Sequence, residues 1–510
     1  MNQLPVVPSA SSSKFGMVPN LQHNGIPQGM DLENWQQDPY LHWTFSHVAD
    51  FLPTAKISRG DGPVAELPEN FTDFTSVVVD SPEYGAPTSV GQIMDDTFTD
   101  GWAVMVDGEL LTENYFGKAD ANMSHILMSV SKSLVGVVVG ALVNQGKLDL
   151  SKTIEHYIPE LKGCGYEGAT IRHILDMRSG IQFSEEYLDP QAEVRLLEQV
   201  IGWAPRRDHS LPKTMYGFLA SLKKDGEHGG PFRYRSCETD ALGWLCEVVS
   251  GKKMPQLMSE LLWSRIGAEN DATIGIDKEG TGMFDGGINA SLRDMIRFGS
   301  LFLEHGKSLT GEQVVSAGWV ADTFAGGSTS RKSFKQSPDD NRMPGGMYRN
   351  QCWFPYEGNE VMLCLGIHGQ MIYINRRANM VAAKLSSWPL PQNARMLFPT
   401  IQAFDAIAEA VGDSDSIPEL PLDFAPLDQY TTSMPIIVPD AQVPATPVTP
   451  VAPVVPVTPA APVTPAVPAA PQIPAETIAS QGTVVAVDPD SGATTVDWGE
   501  GPTTYGGATQ

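Results

Sequence analysis

A serine followed three residues later by a lysine is the sequence feature here that could do chemistry. The spacing puts both side chains on one helical face, one turn apart. A neutral lysine there can take the serine proton and make the hydroxyl a nucleophile for acyl transfer. The pattern occurs at Ser11/Lys14, Ser129/Lys132, Ser210/Lys213, Ser221/Lys224 and Ser250/Lys253. Context separates them. Ser11 lies in a polar N-terminal stretch, and Ser210 is followed by Leu211-Pro212, which disfavours a helical turn. Ser221 and Ser250 sit in lysine-rich segments that suit solvent. Only Ser129 opens an apolar run, MSVSKSLVGVVVG. At a helix start, free N–H groups and the positive end of the dipole would meet a developing oxyanion. The apolar surround disfavours an ammonium, which predicts a lowered pKa for Lys132. The sequence contains no G-x-S-x-G, H-E-x-x-H or G-x-x-x-x-G-K-[ST].

Positioning these residues requires regular elements. Ser131 to Asn144 reads as a buried helix, with Gly146 and Asp149 punctuating its end. Thr239 to Val249 is helical in pattern and stops at Gly251. Strand-like runs stand at Trp102–Val106, Val361–Leu365, Met371–Ile374 and Met380–Leu385. Their order is mixed, which favours α+β over a doubly wound parallel sheet.

Composition narrows the partners. The chain has 510 residues, 42% hydrophobic and 18% charged, enough for a large core. Its net charge of -26 repels phosphate backbones, so nucleic acid is not an expected partner. Five scattered cysteines without a C-x-x-C pair argue against a disulfide framework or a zinc site. The N-terminus MNQLPVVPSASSSKFG lacks a basic, then apolar leader, and Leu134 to Val143 is too short to span a bilayer. A cytoplasmic protein without a membrane partner is the expectation.

Residues 1–26 form a polar arm without periodicity, and residues 27–415 are patterned as a globular domain. Residues 416–443 connect it to 444–474, where every third residue is proline. Polyproline II has three residues per turn, so this stretch predicts a rod of roughly 95 Å at ~3.1 Å per residue. It reads as a spacer; a protein partner with a proline-binding groove is the alternative. Within residues 475–510, Thr483–Val487 and Thr494–Trp498 flank turn residues Asp488–Gly492, the pattern of a β-hairpin.

Beyond Ser129 and Lys132, further ordered segments carry a family resemblance. They are SVSKSLVGVVVGALVNQGKLDLSKTIEHYIPEL, ATIRHILDMRSGI, Tyr234-Arg235-Ser236 just before a helix, GGINASLRDMIRFGSLFL and GIHGQMIYINRRANMVAAKLSSWP. Together they resemble the superfamily of serine β-lactamases, penicillin-binding proteins and esterases. NWQQDPYLHWTFSHVADFLPTAKISRG and EEYLDPQAEV are similar to its 6-aminohexanoate-dimer hydrolases and their carboxylesterase-like relatives. The resemblance covers roughly residues 30–410 and nothing of the proline-rich tail. It implies a β-lactamase/transpeptidase-like α+β fold: an antiparallel sheet flanked by helices, plus a helical region.

The resemblance also implies roles. Ser129 matches the nucleophile, Lys132 the general base and Tyr234 the proton shuttle to the leaving group. The backbone N–H groups of Ser129 and Gln370 match the oxyanion hole. Tyr187 resembles a tyrosine over the site that contacts a substrate amide. Ser236 and His368 are expected to line the pocket, and Glu198 to attract a substrate ammonium. Where the superfamily has lysine-threonine-glycine, this chain has Ile367-His368-Gly369. Without that lysine, a penicillin carboxylate loses a binding cation. The implied function is a serine hydrolase acting by an acyl-enzyme on linear amides and short-chain esters, with a small amide or ester as its partner. No metal and no organic cofactor is implied. The alternatives are a carboxylesterase or β-lactamase without linear amidase activity, or a catalytically silent binding protein on this scaffold.

Overall fold

The computed structural model describes residues 25–414 and three short strands near the C-terminus. The strands of the main sheet, in chain order, are β1 (Thr99–Val106), β2 (Glu109–Tyr115), β3 (Met347–Arg349), β4 (Cys352–Phe354), β5 (Val361–Gly366), β6 (Gln370–Asn375) and β7 (Met380–Ser386). They lie in the order β2-β1-β7-β6-β5-β4-β3, and every neighbouring pair is antiparallel. The strand runs read from the sequence all fall here, each lengthened by a residue or more at its ends.

The central strands are buried on both faces. Alternate residues feed two cores, as a period of two requires. Ala103, Met105, Val381 and Ala383 join the larger core, while Trp102, Val104, Met380 and Ala382 join the smaller. Helices α1 (Val130–Asn144), α2 (Glu193–Ile201), α3 (Ser236–Ser250), α4 (Leu292–Ser300) and α5 (Ala394–Val411) carry the rest of the argument. α4 packs on β1, β6 and β7, and α1 packs on β5 and α3. α5 packs on β6 and on the short helix Val90–Asp96. A second, four-stranded sheet orders Thr54–Ile57, Ala272–Gly275, Ile288–Ala290 and His125–Ile126. Its last strand leads directly into α1.

Close packing explains the glycines of α1. A Cβ at Gly140 would stand 2.5 Å from the Trp319 ring, and one at Gly136 would stand 2.7 Å from the Asn350 carbonyl. Asn350 and Gln351 adopt left-handed backbone (φ +49° and +68°). A buried network holds that turn: Arg349 pairs with Asp176 and Asp322, and Asn350 donates to Asp322 and Thr323. Gln351 in turn bonds Thr239 of α3, and its carbonyl takes the Ser133 hydroxyl of α1.

The chain divides into two units, residues 1–434 and 435–510. In the second, Thr483–Val487 pairs antiparallel with Thr494–Asp497, and Pro502–Tyr505 adds a third strand. That third strand was not anticipated, because its run is short and begins with proline, which a strand's first position tolerates. The N-terminal arm up to residue 24, the connecting segment, the proline rod and the boundaries at 415/416 and 443/444 lie outside the described residues.

Candidate active site

Ser129 is the residue before α1, with helical backbone (φ −69°, ψ −4°) and 8% exposure. The preceding Met128 sits at φ +46°, a left-handed conformation that a methionine adopts only under constraint. Main-chain bonds supply it: Leu127 N–H to Ile288 O, and Val130 N–H back to Leu127 O. Lys132, one turn on, is fully buried. Its Nζ lies 2.7 Å from Ser129 Oγ, 2.8 Å from the Asp285 carbonyl and 3.4 Å from the Asp285 carboxylate. These three acceptors match the three donors of an ammonium. The other serine–lysine spacings among the described residues end in exposed lysines, and Lys253 is spent on Glu247.

Tyr234 comes from the segment entering α3. Its ring lies 5.2 Å from Lys132 Nζ. Trp353 stacks on the ring at 5.2 Å, and Tyr348 meets it edge-on at 6.2 Å. Ser129, Lys132 and Tyr234 are therefore brought together as one cluster.

The charge state of Lys132 departs from expectation. Burial does push its pKa down, but Tyr234, Asp285 and Glu185 push it up and prevail, so it lies above its ordinary value. The apolar run around Lys132 in sequence concealed acids that arrive from distant segments. Tyr234 is also raised, by burial first, with Lys132 pulling it back and Glu185 pushing it up. At neutral pH the pair holds both protons.

Glu185 was not anticipated, although it stands in EEYLDP. Its carboxylate accepts the Ser236 backbone N–H at the start of α3, the Ser236 hydroxyl at 3.2 Å and the Tyr187 hydroxyl at 2.6 Å. Burial lifts its pKa against the pull of Lys132. Ser236 and Tyr187 thus meet at one carboxylate beside the cluster. The Tyr187 ring is buried, with the Arg195 guanidinium 5.5 Å from it.

Gln370 opens β6. A Cβ on Gly366, its partner across the β5–β6 turn, would meet Leu127 O at 2.6 Å, Gln370 Cβ at 3.0 Å and Met128 Cβ at 3.2 Å. The turn therefore leans on the residues just before Ser129. The Gln370 amide clasps Ser386, accepting its N–H at 3.0 Å and donating to its carbonyl at 2.7 Å. Beside it, His368 takes φ +58° and is buried. Its Nδ1–H donates to Trp388 O at 2.6 Å, and burial lowers its pKa to about 4, so the ring is neutral. Phe45 packs edge-on against it at 5.2 Å.

Glu198 requires a correction. It was expected to attract a substrate ammonium or else to stand as a solvated surface group. It is instead 7% exposed, with both oxygens 2.8 Å from Arg195 Nη1 and one taking the Gln36 amide at 3.0 Å. Arg195 was three residues away in sequence, a helical i,i+3 spacing that signals such a pair. Asp285 and Asp240 were also missed. Asp285 stands just before the GGINAS segment, and Asp240 sits in α3, where Glu238 and Glu247 are also acidic.

Known proteins resemble this chain in sequence and fold. A family model described as Beta-lactamase matches residues 90–405. The 6-aminohexanoate-dimer hydrolase of Paenarthrobacter ureafaciens is 36% identical over 383 residues, covering 74% of this chain and 94% of that protein. A solved Bacillus anthracis chain, provisionally assigned as a 6-aminohexanoate-dimer hydrolase, superposes with a TM-score of 0.69 at 27% identity, over 77% of this chain and 98% of that one. EstCE1, a hydrolase with promiscuous acyltransferase activity, shares the fold at a TM-score of 0.50 and 16% identity, over 62% of this chain and 96% of its own. With the model spanning most of the globular body and one relative aligned over nearly its full length, the chain belongs to the β-lactamase family of serine hydrolases.

Proposed function

We propose that this chain hydrolyses short linear amides and esters through an acyl-enzyme on Ser129. The observation that carries the reading is Lys132 Nζ at 2.7 Å from Ser129 Oγ, at the head of a buried helix and under Tyr234. Loss of one proton from the Lys132–Tyr234 pair leaves a base in contact with Ser129. Ser129 Oγ then attacks the substrate carbonyl carbon, and its proton passes to the pair. The oxyanion faces the backbone N–H groups of Ser129 and Gln370. Collapse breaks the C–N or C–O bond, and the departing nitrogen or oxygen takes its proton through the Tyr234 hydroxyl. Water attacks the acyl-enzyme and gives a proton to the pair, which returns it to Ser129 Oγ as the acid leaves.

Linear amides as a substrate class are supported by the 36% identical relative named for one. Esters should react faster than amides, because an alkoxide leaves more easily than an amine. Penicillins should react poorly, because Ile367-His368-Gly369 offers no cation for their carboxylate. With Glu198 paired to Arg195, the overall negative charge is left as a long-range attraction for an ammonium, and salt screens it. Specificity constants for a short ester, a linear amide and a chromogenic β-lactam test the reading. The expected order is ester, amide, β-lactam. A β-lactam turned over faster than the ester would overturn it.

A further inference from the structure

Beneath Lys132 lies a second acidic group that the hydrolytic scheme does not use. Asp240, on α3, is fully buried, and its Oδ1 accepts the Asp285 backbone N–H at 3.2 Å. Asp285 in turn presents its carbonyl and carboxylate to Lys132. The two remaining oxygens, Asp240 Oδ2 and Asp285 Oδ1, are buried without a hydrogen-bond partner among the described residues. Among those residues Asp285 has an ion pair, to Lys132, and Asp240 has none. Two carboxylates in one water-poor site repel, and burial penalises each charge, so one of them keeps a proton.

We propose that Asp240 is a positioning residue: as the protonated member of a carboxyl pair, it fixes Asp285 and leaves Asp285 alone to contact Lys132 as a carboxylate. The proposal rests on the reading of Lys132 as the proton acceptor for Ser129. Burial first, and then the Asp285 charge, hold the Asp240 carboxyl well above the usual carboxylate range, against the opposing pull of the Lys132 ammonium. Further ionisable groups surround this pair. Tyr166 and Tyr216, from neighbouring segments, are raised by their own burial and stay neutral. Glu238, on the same helix, is held by Ser179 and Arg235. Glu185 faces Lys132 from the loop before α2. A neutral Asp240 confines the charge at the base of the site to Asp285. An ionised Asp240 would add a second carboxylate and hold Lys132 more firmly as an ammonium.

Ester hydrolysis followed across pH, with Ser129 acylation read by intact mass, tests this. Asp285→Asn should move the acid limb of kcat/KM down by about one pH unit or more, because Lys132 loses its contacting carboxylate. Asp240→Asn should leave that limb where the wild type has it, because one neutral group replaces another. Asp240→Leu, which cannot accept the Asp285 N–H, should lower kcat by ~10-fold with KM nearly unchanged. If the leucine variant fails to fold, the asparagine variant still decides. The infrared difference spectrum between wild type and Asp240→Asn should contain a protonated-carboxyl band, whatever the activity. An Asp240→Asn limb displaced like that of Asp285→Asn, a difference spectrum without that band, or a fully active Asp240→Leu would overturn the positioning role. Wild-type enzyme that never acylates at Ser129 would instead sink the hydrolase reading, leaving the infrared result to judge Asp240 by itself.

Discussion

At the scale of single residues, the site is a contest between burial and charge around Lys132. Burial favours the neutral amine, and three acidic neighbours favour the ammonium. The neighbours prevail, so the Lys132–Tyr234 pair must lose a proton before Ser129 can react. The sign follows: kcat/KM should rise with pH through neutrality, not fall. His368, lowered to about 4, should add no limb above pH 5. Lys132→Ala and Tyr234→Phe should each lower turnover by ~10²-fold or more, and their losses should not add. Steady-state rates of the single and double variants decide that. Glu198→Gln should leave KM for an amino-terminated amide unchanged, because its charge is already paired with Arg195. Losing that pair should cost about 1 kcal/mol of stability, seen as a lowered melting temperature. Ser129, Lys132 and Tyr234 were legible because their spacing and order survive in sequence. Glu185, Asp240 and Asp285 were not, because an acid's meaning depends on which distant lysine it meets.

At the scale of elements, α1 and the β5–β6 turn must hold Ser129 and Gln370 in register. The helix was legible from its apolar run, and the strands from their β-branched and aromatic stretches. The left-handed residues Met128 and Gln351 were not, since nothing in a methionine or glutamine signals positive φ. Strand β7 contributes an unusual support. Lys384 is fully buried, bonded to Thr97 O at 3.2 Å and to Ser386 Oγ, with Nζ 5.5 Å from the Trp388 ring. Burial lowers its pKa to about 7, although Asp100 pulls it up. Between about pH 7 and 10 the unfolded chain then binds more protons at this site than the folded one. Its contribution to stability therefore grows as pH rises across that window. Melting temperatures across pH should lose that component in Lys384→Met. A slope unchanged by the substitution would show that Lys384 titrates normally.

At the scale of the whole molecule, Ser129, Lys132, Tyr234 and the acids around them lie within residues 129–285, Gln370 follows, and the family match ends at residue 405. A chain ending near Asp440 should therefore keep full turnover and an unchanged melting transition. A large drop in either would mean that the tail contributes to the catalytic body. The α+β class was read from mixed element order, but the antiparallel arrangement came only from the resemblance. Strand order depends on which strands pair across hundreds of residues, and periodicity carries no such information. The central claim is tested most directly by intact mass of wild type and Ser129→Ala after exposure to a slow ester or a phosphonate. The account predicts one stoichiometric adduct on wild type and none on the variant; an adduct that persists in Ser129→Ala would contradict it.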